Sequence, residues 1–272
     1  MKKNLRKLIE YRELLYNLTI KEVKVRYKNS FLGFLWSMVN PLMLLVVYYV
    51  AFGVIFRLRA EGMVRYEFYL LAGILPWNFF SLSVIQAVGS VVNNADLVKK
   101  VYFPREVLPL SYLCSSGFHF LLQELVLLAF LLIFRVRLSP WILAFPLLLV
   151  LQACFAAGLS LLLSAVNVFF RDVQHFTDIF LLAWFWMTPV VYPVSFIFES
   201  LPPWAARIYL LNPMAHIMLL WQRIVYNSPV NGPKAAYFSP VGFTYTVVLS
   251  LLLLILGYWA FCRLEGRFAE FI

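Results

Sequence analysis

Apolar and charged positions fall in long blocks along this chain rather than alternating residue by residue. Nine of the 23 Lys and Arg lie within residues 1–28, as Lys2, Lys3, Arg6, Lys7, Arg12, Lys21, Lys24, Arg26 and Lys28, and residues 29–56 then carry no charge at all. A stretch of that length predicts a membrane span, because about 20 helical residues cover a hydrocarbon core of roughly 30 Å. Basic residues resist translocation, so the same boundary predicts a cytoplasmic N-terminus. The apolar part overshoots the h-region of about 7 to 15 residues found in a cleaved signal peptide.

Further blocks predict six transmembrane helices per subunit, at about 34–56, 68–92, 107–134, 141–168, 177–194 and 244–262. The expected fold is an all-α integral membrane protein: residues 1–30 form a cytoplasmic amphipathic interface helix and residues 31–272 a single transmembrane domain. Fifteen of the 23 basic residues then fall on the cytoplasmic side, with both termini there. Residues 208–226 contest the count, being largely apolar too. They contain an Asn212-Pro213 break, His216, Gln222 and Arg223, and a seventh span would move Arg263 and Arg267 outside. A re-entrant or interfacial helical segment is expected there, its irregular backbone needing protein or a water-filled cavity for its hydrogen bonds. The connections leave no room for a soluble domain, and no internal repeat is visible.

Composition agrees. At 63% hydrophobic residues and mean hydropathy +0.82, the chain has too little polar surface for a soluble domain of its size. A net charge of +10 would suggest nucleic acid in a soluble protein; here it follows from a basic cytoplasmic face, and no nucleic-acid partner is expected. Cys114, Cys154 and Cys262 are odd in number, far apart and set in apolar runs, so neither a disulfide nor a metal site is implied.

Two cytoplasmic segments have distinct faces. In the first, Glu10, Glu13, Asn17, Lys21, Lys24 and Lys28 recur at helical spacing, with Leu8, Tyr11, Leu15 and Leu18 opposite. A membrane-surface anchor and a partner-binding helix both fit that pattern. The second is NNADLVKKVYFPREV: Asn94 or Asp96 can cap a short helix, with Leu97, Val98, Val101 and Tyr102 on one face, Lys99 and Lys100 on the other, and Pro104 at its end. A lever and a plain elbow both fit.

Four strings occur in order: KEVKVRYKNSFLGFLWSMVNPL, LVKKVYFPREVLPL, NVFFRDVQHFTDI followed by TPVVYP, and LNPMAHI. Together they resemble the membrane permease of type-2 ABC exporters that move lipid-linked polysaccharides such as O-antigen, teichoic acid and capsular chains. The resemblance implies a homodimer in the bacterial cytoplasmic membrane, paired with two copies of a cytoplasmic ATPase that holds the ATP and Mg, with no cofactor, metal or catalytic residue on this chain. It implies ATPase coupling through Asp96, Leu97, Lys99, Lys100, Val101, Tyr102, Arg105, Arg171 and Asp172. It also implies a substrate path along the first and fifth spans, where Trp36, Asn40, Tyr48, Tyr49, Phe52, Trp184, Trp186 and Tyr192 lie. No phosphate-binding loop ending in Gly-Lys-Ser/Thr occurs in the chain, so ATP energy must come from another subunit.

Aromatic residues make up 18% of the chain. Sugar CH faces pack on aromatic rings, and Tyr or Trp adds one polar handle, so these rings suit a glycan path. They equally suit interface anchoring and helix packing. Tyr258 and Trp259 in the sixth span are expected to face lipid. Glu124 is the prominent ionisable residue of the third span; His119 lies five positions away, about 140° around the helix, so the two share no face. Pairing of Glu124 with a neighbouring helix, or protonation, is expected rather than a proton relay. Two other function classes compete. An enzyme acting on lipid-linked sugars would want clustered carboxylates, where the outward loops offer Glu61, Glu67 and Glu199, and a proton-coupled exporter would run through Glu124.

Overall fold

The computed structural model describes residues 10–27, 36–57, 66–136, 140–226 and 239–272. Lys2, Lys3, Arg6, Lys7, Leu8, Lys28, Glu61 and residues 227–238 lie outside the described residues. Regular structure among the described residues is helical throughout. In chain order the elements are α1 (Arg12–Tyr27), α2 (Trp36–Tyr48, running on as a π-helical stretch Tyr49–Ile55), α3 (Tyr66–Asn93), α4 (Ala95–Lys100), α5 (Val107–Ile133), α6 (Phe145–Phe169, after a 3₁₀ turn Pro140–Ala144), α7 (Asp172–Trp186), α8 (Ser195–Ser200), α9 (Pro203–Tyr209), α10 (Pro213–Tyr226), α11 (Pro240–Leu264) and α12 (Phe268–Phe271, after a 3₁₀ turn Glu265–Arg267).

Five helical stretches are long and apolar enough to cross a membrane: Met38–Ile55, Tyr66–Asn93, Val107–Ile133, Pro140–Phe169 and Pro240–Phe271. This is an integral membrane protein. The sixth expected span, 177–194, differs. Helix α7 has 15 residues, about 22 Å at 1.5 Å per residue against a core of roughly 30 Å. Pro189 and Pro193 explain the early end, since each lacks an N–H and pushes the residue before it out of the helical region. The Asn212-Pro213 break falls as expected, between α9 and α10.

Helix α3 forms the centre, with most of its length buried between α5, α6 and α10. Polar side chains tie this core together. Gln152 on α6 donates to the Pro76 carbonyl at 2.7 Å and accepts the Trp221 indole N–H at 2.5 Å, so both ends of its amide are used. Asn167 donates to the Val88 carbonyl at 3.1 Å. Helices α6 and α11 cross at a pair of glycines, where a Cβ added to Gly257 would stand 2.2 Å from the Gly158 carbonyl oxygen. Such close backbone approach is how membrane helices gain dispersion contact without a hydrophobic driving force.

One end of the bundle gathers α1, α4, the turn between α6 and α7, and the C-terminal residues, and is called here the basic end. Leu18 of α1 is buried there, flanked by Tyr11, Leu14 and Leu15, in a cluster with Val98, Phe103, Val107 and Phe268. The face expected to hold Tyr11, Leu15 and Leu18 thus covers the bundle.

Three local expectations are corrected. The apolar residues around α4 do not share one face: Val98 is buried, but the helix ends at Lys100 and Val101 is extended at φ −127°, so Tyr102 projects outward at 84% exposure. Phe103, restricted by Pro104, turns inward instead. Asn94 occupies the N-cap position without a capping bond; its amide donates to the Ser90 carbonyl at 2.8 Å and its oxygen accepts from Lys21 at 3.4 Å. Tyr258 does not face lipid: it is 8% exposed, with its hydroxyl donating to Glu106 at 3.4 Å. Trp259 is exposed, beneath the Arg263 guanidinium.

Candidate translocation and coupling sites

Helices α2 and α7 meet along a seam of rings. The π-helical stretch is wider than an α-helix, and every fourth residue lines up: Tyr48, Phe52 and Phe56 have successive centroid separations of 6.1 and 6.0 Å. Tyr48 stacks on Phe185 at 5.8 Å, and Trp186 stands edge-on to Tyr48 and Phe52 at 6.4 and 6.1 Å. Gly53 faces the other way, its bare Cα against the ring of Tyr66. Beyond the seam both helices are uncovered: Met43, Val47, Val50 and Val54 on one, Phe176, Ile179, Leu182 and Met187 on the other. An apolar surface of this extent marks a contact with lipid, protein or ligand.

The expected path residues separate into groups. Trp186 is 48% exposed, and Trp36 and Asn40 are exposed as well. Tyr48 and Phe52 are half-buried in the seam, and Tyr49 is half-buried beside Gly53. Trp184 faces the interior, within 6.5 Å of the rings of Trp77, Phe80, Phe155 and Phe180. Toward the basic end, Trp36 and Asn40 border a cavity of about 170 Å³ with Arg26, Asn78, His119 and Gln123.

Residues 187–194 leave helical geometry inside the protein, and side chains from other helices take up their carbonyls. Tyr66 donates to Val191, Tyr69 to Tyr192 at 2.9 Å, and Gln222 to Pro189 at 2.7 Å. Asn212 donates to the Met187 carbonyl at 2.9 Å and to the Thr188 hydroxyl at 3.0 Å, while its oxygen accepts from Trp184 and from the Met214 N–H. Tyr192 donates to the Trp186 carbonyl and touches the Tyr209 hydroxyl at 3.2 Å. An unpaired carbonyl in such surroundings would cost several kcal/mol, which is why so many polar side chains converge here. Gly73 completes the fit, since a Cβ on it would lie 2.5 Å from the Val190 oxygen. The sequence did not single out Tyr66, Tyr69 or Gly73, and marked Gln222 only as a polar residue in an apolar run; Tyr66 and Tyr69, polar side chains at the start of an apolar run, were the signal available.

At the basic end, Asp96 pairs with Lys100 at 3.6 Å on the exposed side of α4. Lys99 is exposed and Leu97 half-buried. Arg105 donates to the Glu265 carbonyl, and its guanidinium lies 6.0 Å from the centroid of Phe268. Phe268 is fully buried against Phe261 and Phe169. The C-terminal turn therefore braces the strap 101–106. A cavity of about 440 Å³ opens between this strap, Glu10, Tyr11 and Glu265–Gly266. Arg171 and Asp172 are exposed at the start of α7; one turn on, Gln174 lies beside Gly89 and Asn93 at the end of α3.

A family model described as ABC-2 type transporter matches residues 13–226. The O-antigen export system permease protein RfbA of Klebsiella pneumoniae is 34% identical over 261 residues, covering 96% of this chain and 95% of that protein. A protein of the same name from Myxococcus xanthus is 37% identical over 227 residues, 81% of this chain and 83% of that one. The polysialic acid transport protein KpsM of Escherichia coli is 23% identical over 255 residues, 88% and 89% of the two chains.

Proposed function

The chain belongs to the ABC-2 type transporter family, and from that membership we propose that it is the permease subunit of an ATP-driven exporter of lipid-linked polysaccharide. Its relatives carry the names of O-antigen and capsular polysaccharide export proteins. Two copies face one another across the bare sides of α2 and α7, and two copies of a separate ATPase hold ATP and Mg. The observation that carries this reading is the seam of Tyr48, Phe52 and Trp186 beside an uncovered apolar surface. Rings offer CH faces to a sliding glycan without fixing its register, so successive sugars can pass.

We read the protein as lying in the cytoplasmic membrane with the basic end inside, in keeping with its Lys and Arg. Helix α7 and residues 187–194 together make the fifth crossing. Residues 195–226 form a re-entrant hairpin: Tyr192 sits beside Tyr69 near the start of α3, Asn212 reaches Trp184, which packs on Trp77 and Phe80 about three turns further along α3, and Arg223 returns to Trp141. The exposed strap Val101–Tyr102 and the α4 lysines face the ATPase, and Arg105, clamped to the C-terminal turn, passes its motion to α3 and α5. No cofactor is assigned to this chain.

The test is co-expression with a cytoplasmic ABC ATPase from the same genome. A complex of two plus two subunits that restores surface glycan to a deletion strain supports the reading. Glycan export that persists with a hydrolysis-dead ATPase overturns it.

A further inference from the structure

Glu124 and Arg263 take no part in the seam or the strap, and they differ in what they present. Glu124 Oε1 is sealed inside the bundle without a hydrogen-bond partner, so the pairing expected of it is not met among the described residues and it offers nothing to a ligand. Arg263 stands at the surface. From Val241 to Cys262 helix α11 carries no charged side chain, a length of about 33 Å at 1.5 Å per residue against a hydrocarbon core of roughly 30 Å. Arg263 is the first charge after that run, and it therefore marks a headgroup boundary.

One face of α11 is bare along this run. Val248, Leu252, Ile255, Leu256 and Trp259 are all exposed, and together with Arg263 they recur every three or four residues, within about 100° of the helix circumference. The opposite face is taken up by α6, where Gly257 meets Gly158. From Leu252 to Arg263 the stripe is about 16 Å long, the depth of one leaflet. Its head is ordered by a ring: the Arg263 guanidinium lies 5.2 Å from the centroid of Trp259. Stacking on an indole holds the guanidinium plane and leaves its N–H edge facing outward. Among the described residues no carboxylate forms an ion pair with Arg263. An arginine at this depth with no acid beside it has lipid phosphate oxygens as its acceptors.

We propose that Arg263, stacked on Trp259, binds the phosphodiester of an anionic phospholipid such as phosphatidylglycerol, with one acyl chain standing against Leu256, Leu252 and Val248. The guanidinium fork matches two phosphate oxygens, and the net charge of the lipid complements it. The chain runs from the headgroup boundary toward the middle of the bilayer, as the stripe does. A zwitterionic lipid supplies its own ammonium to its phosphate and gains less from the arginine. A free anion has no chain to cover the stripe.

The experiment uses the full-length chain in phosphatidylcholine nanodiscs doped with phosphatidylglycerol that carries a diazirine on one acyl chain, beside a parallel set with the diazirine on phosphatidylcholine. Labelling of residues 248–259 should saturate and favour phosphatidylglycerol about fivefold. Phe118 and Leu121, exposed on the half of α5 nearer its start, should show no preference. Arg263→Gln should remove the preference on α11 while labelling by phosphatidylcholine persists. Trp259→Leu keeps the apolar surface but frees the guanidinium, and should reduce the preference; it decides the matter should Arg263→Gln fail to insert. A preference of equal size on α5, or one that survives both substitutions, means the general pull of a basic surface on anionic lipid and overturns the proposal. Displacement by soluble glycerol phosphate overturns the lipid assignment. None of these readouts depends on export, so they stand or fall apart from the transport reading.

Discussion

The indole N–H of Trp184 donates to the side-chain oxygen of Asn212 at 2.9 Å, across 28 residues of sequence. Because the same Asn212 amide holds the Met187 carbonyl and the Thr188 hydroxyl, one residue ends α7, orients the non-helical stretch after it and starts α10. Three elements that would otherwise be independently placed are fixed by one amide.

Asn212→Ala removes all of these bonds and leaves a half-buried indole N–H without this acceptor, at about 1 kcal/mol. Export should fall several-fold and the melting temperature of the detergent-solubilised protein should drop. Asn212→Asp keeps the acceptor for Trp184 but loses both amide donations, and should fall between the two. Equal behaviour of Ala and wild type would remove Asn212 from this role. Surface glycan at matched permease abundance and a thermal melt are the measurements.

Gly73→Ala places a methyl 2.5 Å from the Val190 oxygen, a backbone atom that cannot swing aside. The 187–194 stretch must shift, with loss of export and of stability. Gly117→Ala is the control: its Cβ would meet only the Phe79 ring at 3.6 Å, ordinary contact, and Ala is the better helix former by about 0.5–1 kcal/mol. Parallel melts of the two variants distinguish local crowding from general intolerance of glycine replacement.

The ring seam predicts an ordered series. Tyr48→Ala, Phe52→Ala and Trp186→Ala should slow export at unchanged abundance, while Tyr48→Phe, which keeps the stacking face on Phe185, should be mild. Trp184→Ala should act differently, lowering stability, because its ring packs inside. Trp259→Ala, exposed on α11, should leave export intact. If Trp259 proved as sensitive as Trp186, the seam would be reduced to packing.

At the basic end, Val101→Asp with Tyr102→Asp alters side chains that project from the bundle, so insertion should survive while ATP hydrolysis uncouples from export. Removal of residues 265–272 deletes the Glu265 carbonyl and the Phe268 ring that hold Arg105. That truncation should reduce glycan exported per ATP hydrolysed and also destabilise the end, whereas Phe268→Tyr in the full-length chain keeps the ring beneath Arg105 and should retain most of both. The ratio of export to hydrolysis in proteoliposomes separates a coupling role from a purely structural one.

Much was legible in the chain because the bilayer imposes a simple rule. Apolar runs long enough to cross, set off by Lys and Arg blocks, located the five long spans. The first four agree to within four residues at each end, and the last, 244–262, stops short of the helical run that continues to Phe271. Asn212-Pro213 marked a helix break because proline forbids continuation. The face of α1 was readable from spacing, since Tyr11, Leu15 and Leu18 recur at helical period and have only one surface to cover. What hydropathy could not tell was where an apolar run stops being helical: residues 177–194 read as one span, but Pro189 and Pro193 release eight residues whose carbonyls are taken up by Tyr66, Tyr69, Gln222 and Asn212. Those partners lie up to 125 positions away in sequence, and no local pattern joins them. The same holds for Trp184 and Trp186, indistinguishable as aromatic residues near the end of a span, yet one turned to Trp77 and the other to the seam. Local periodicity determines which residues enter the membrane; which of them meet is decided by backbone approach at Gly73 and Gly158 and by the demand that each buried polar group find a partner.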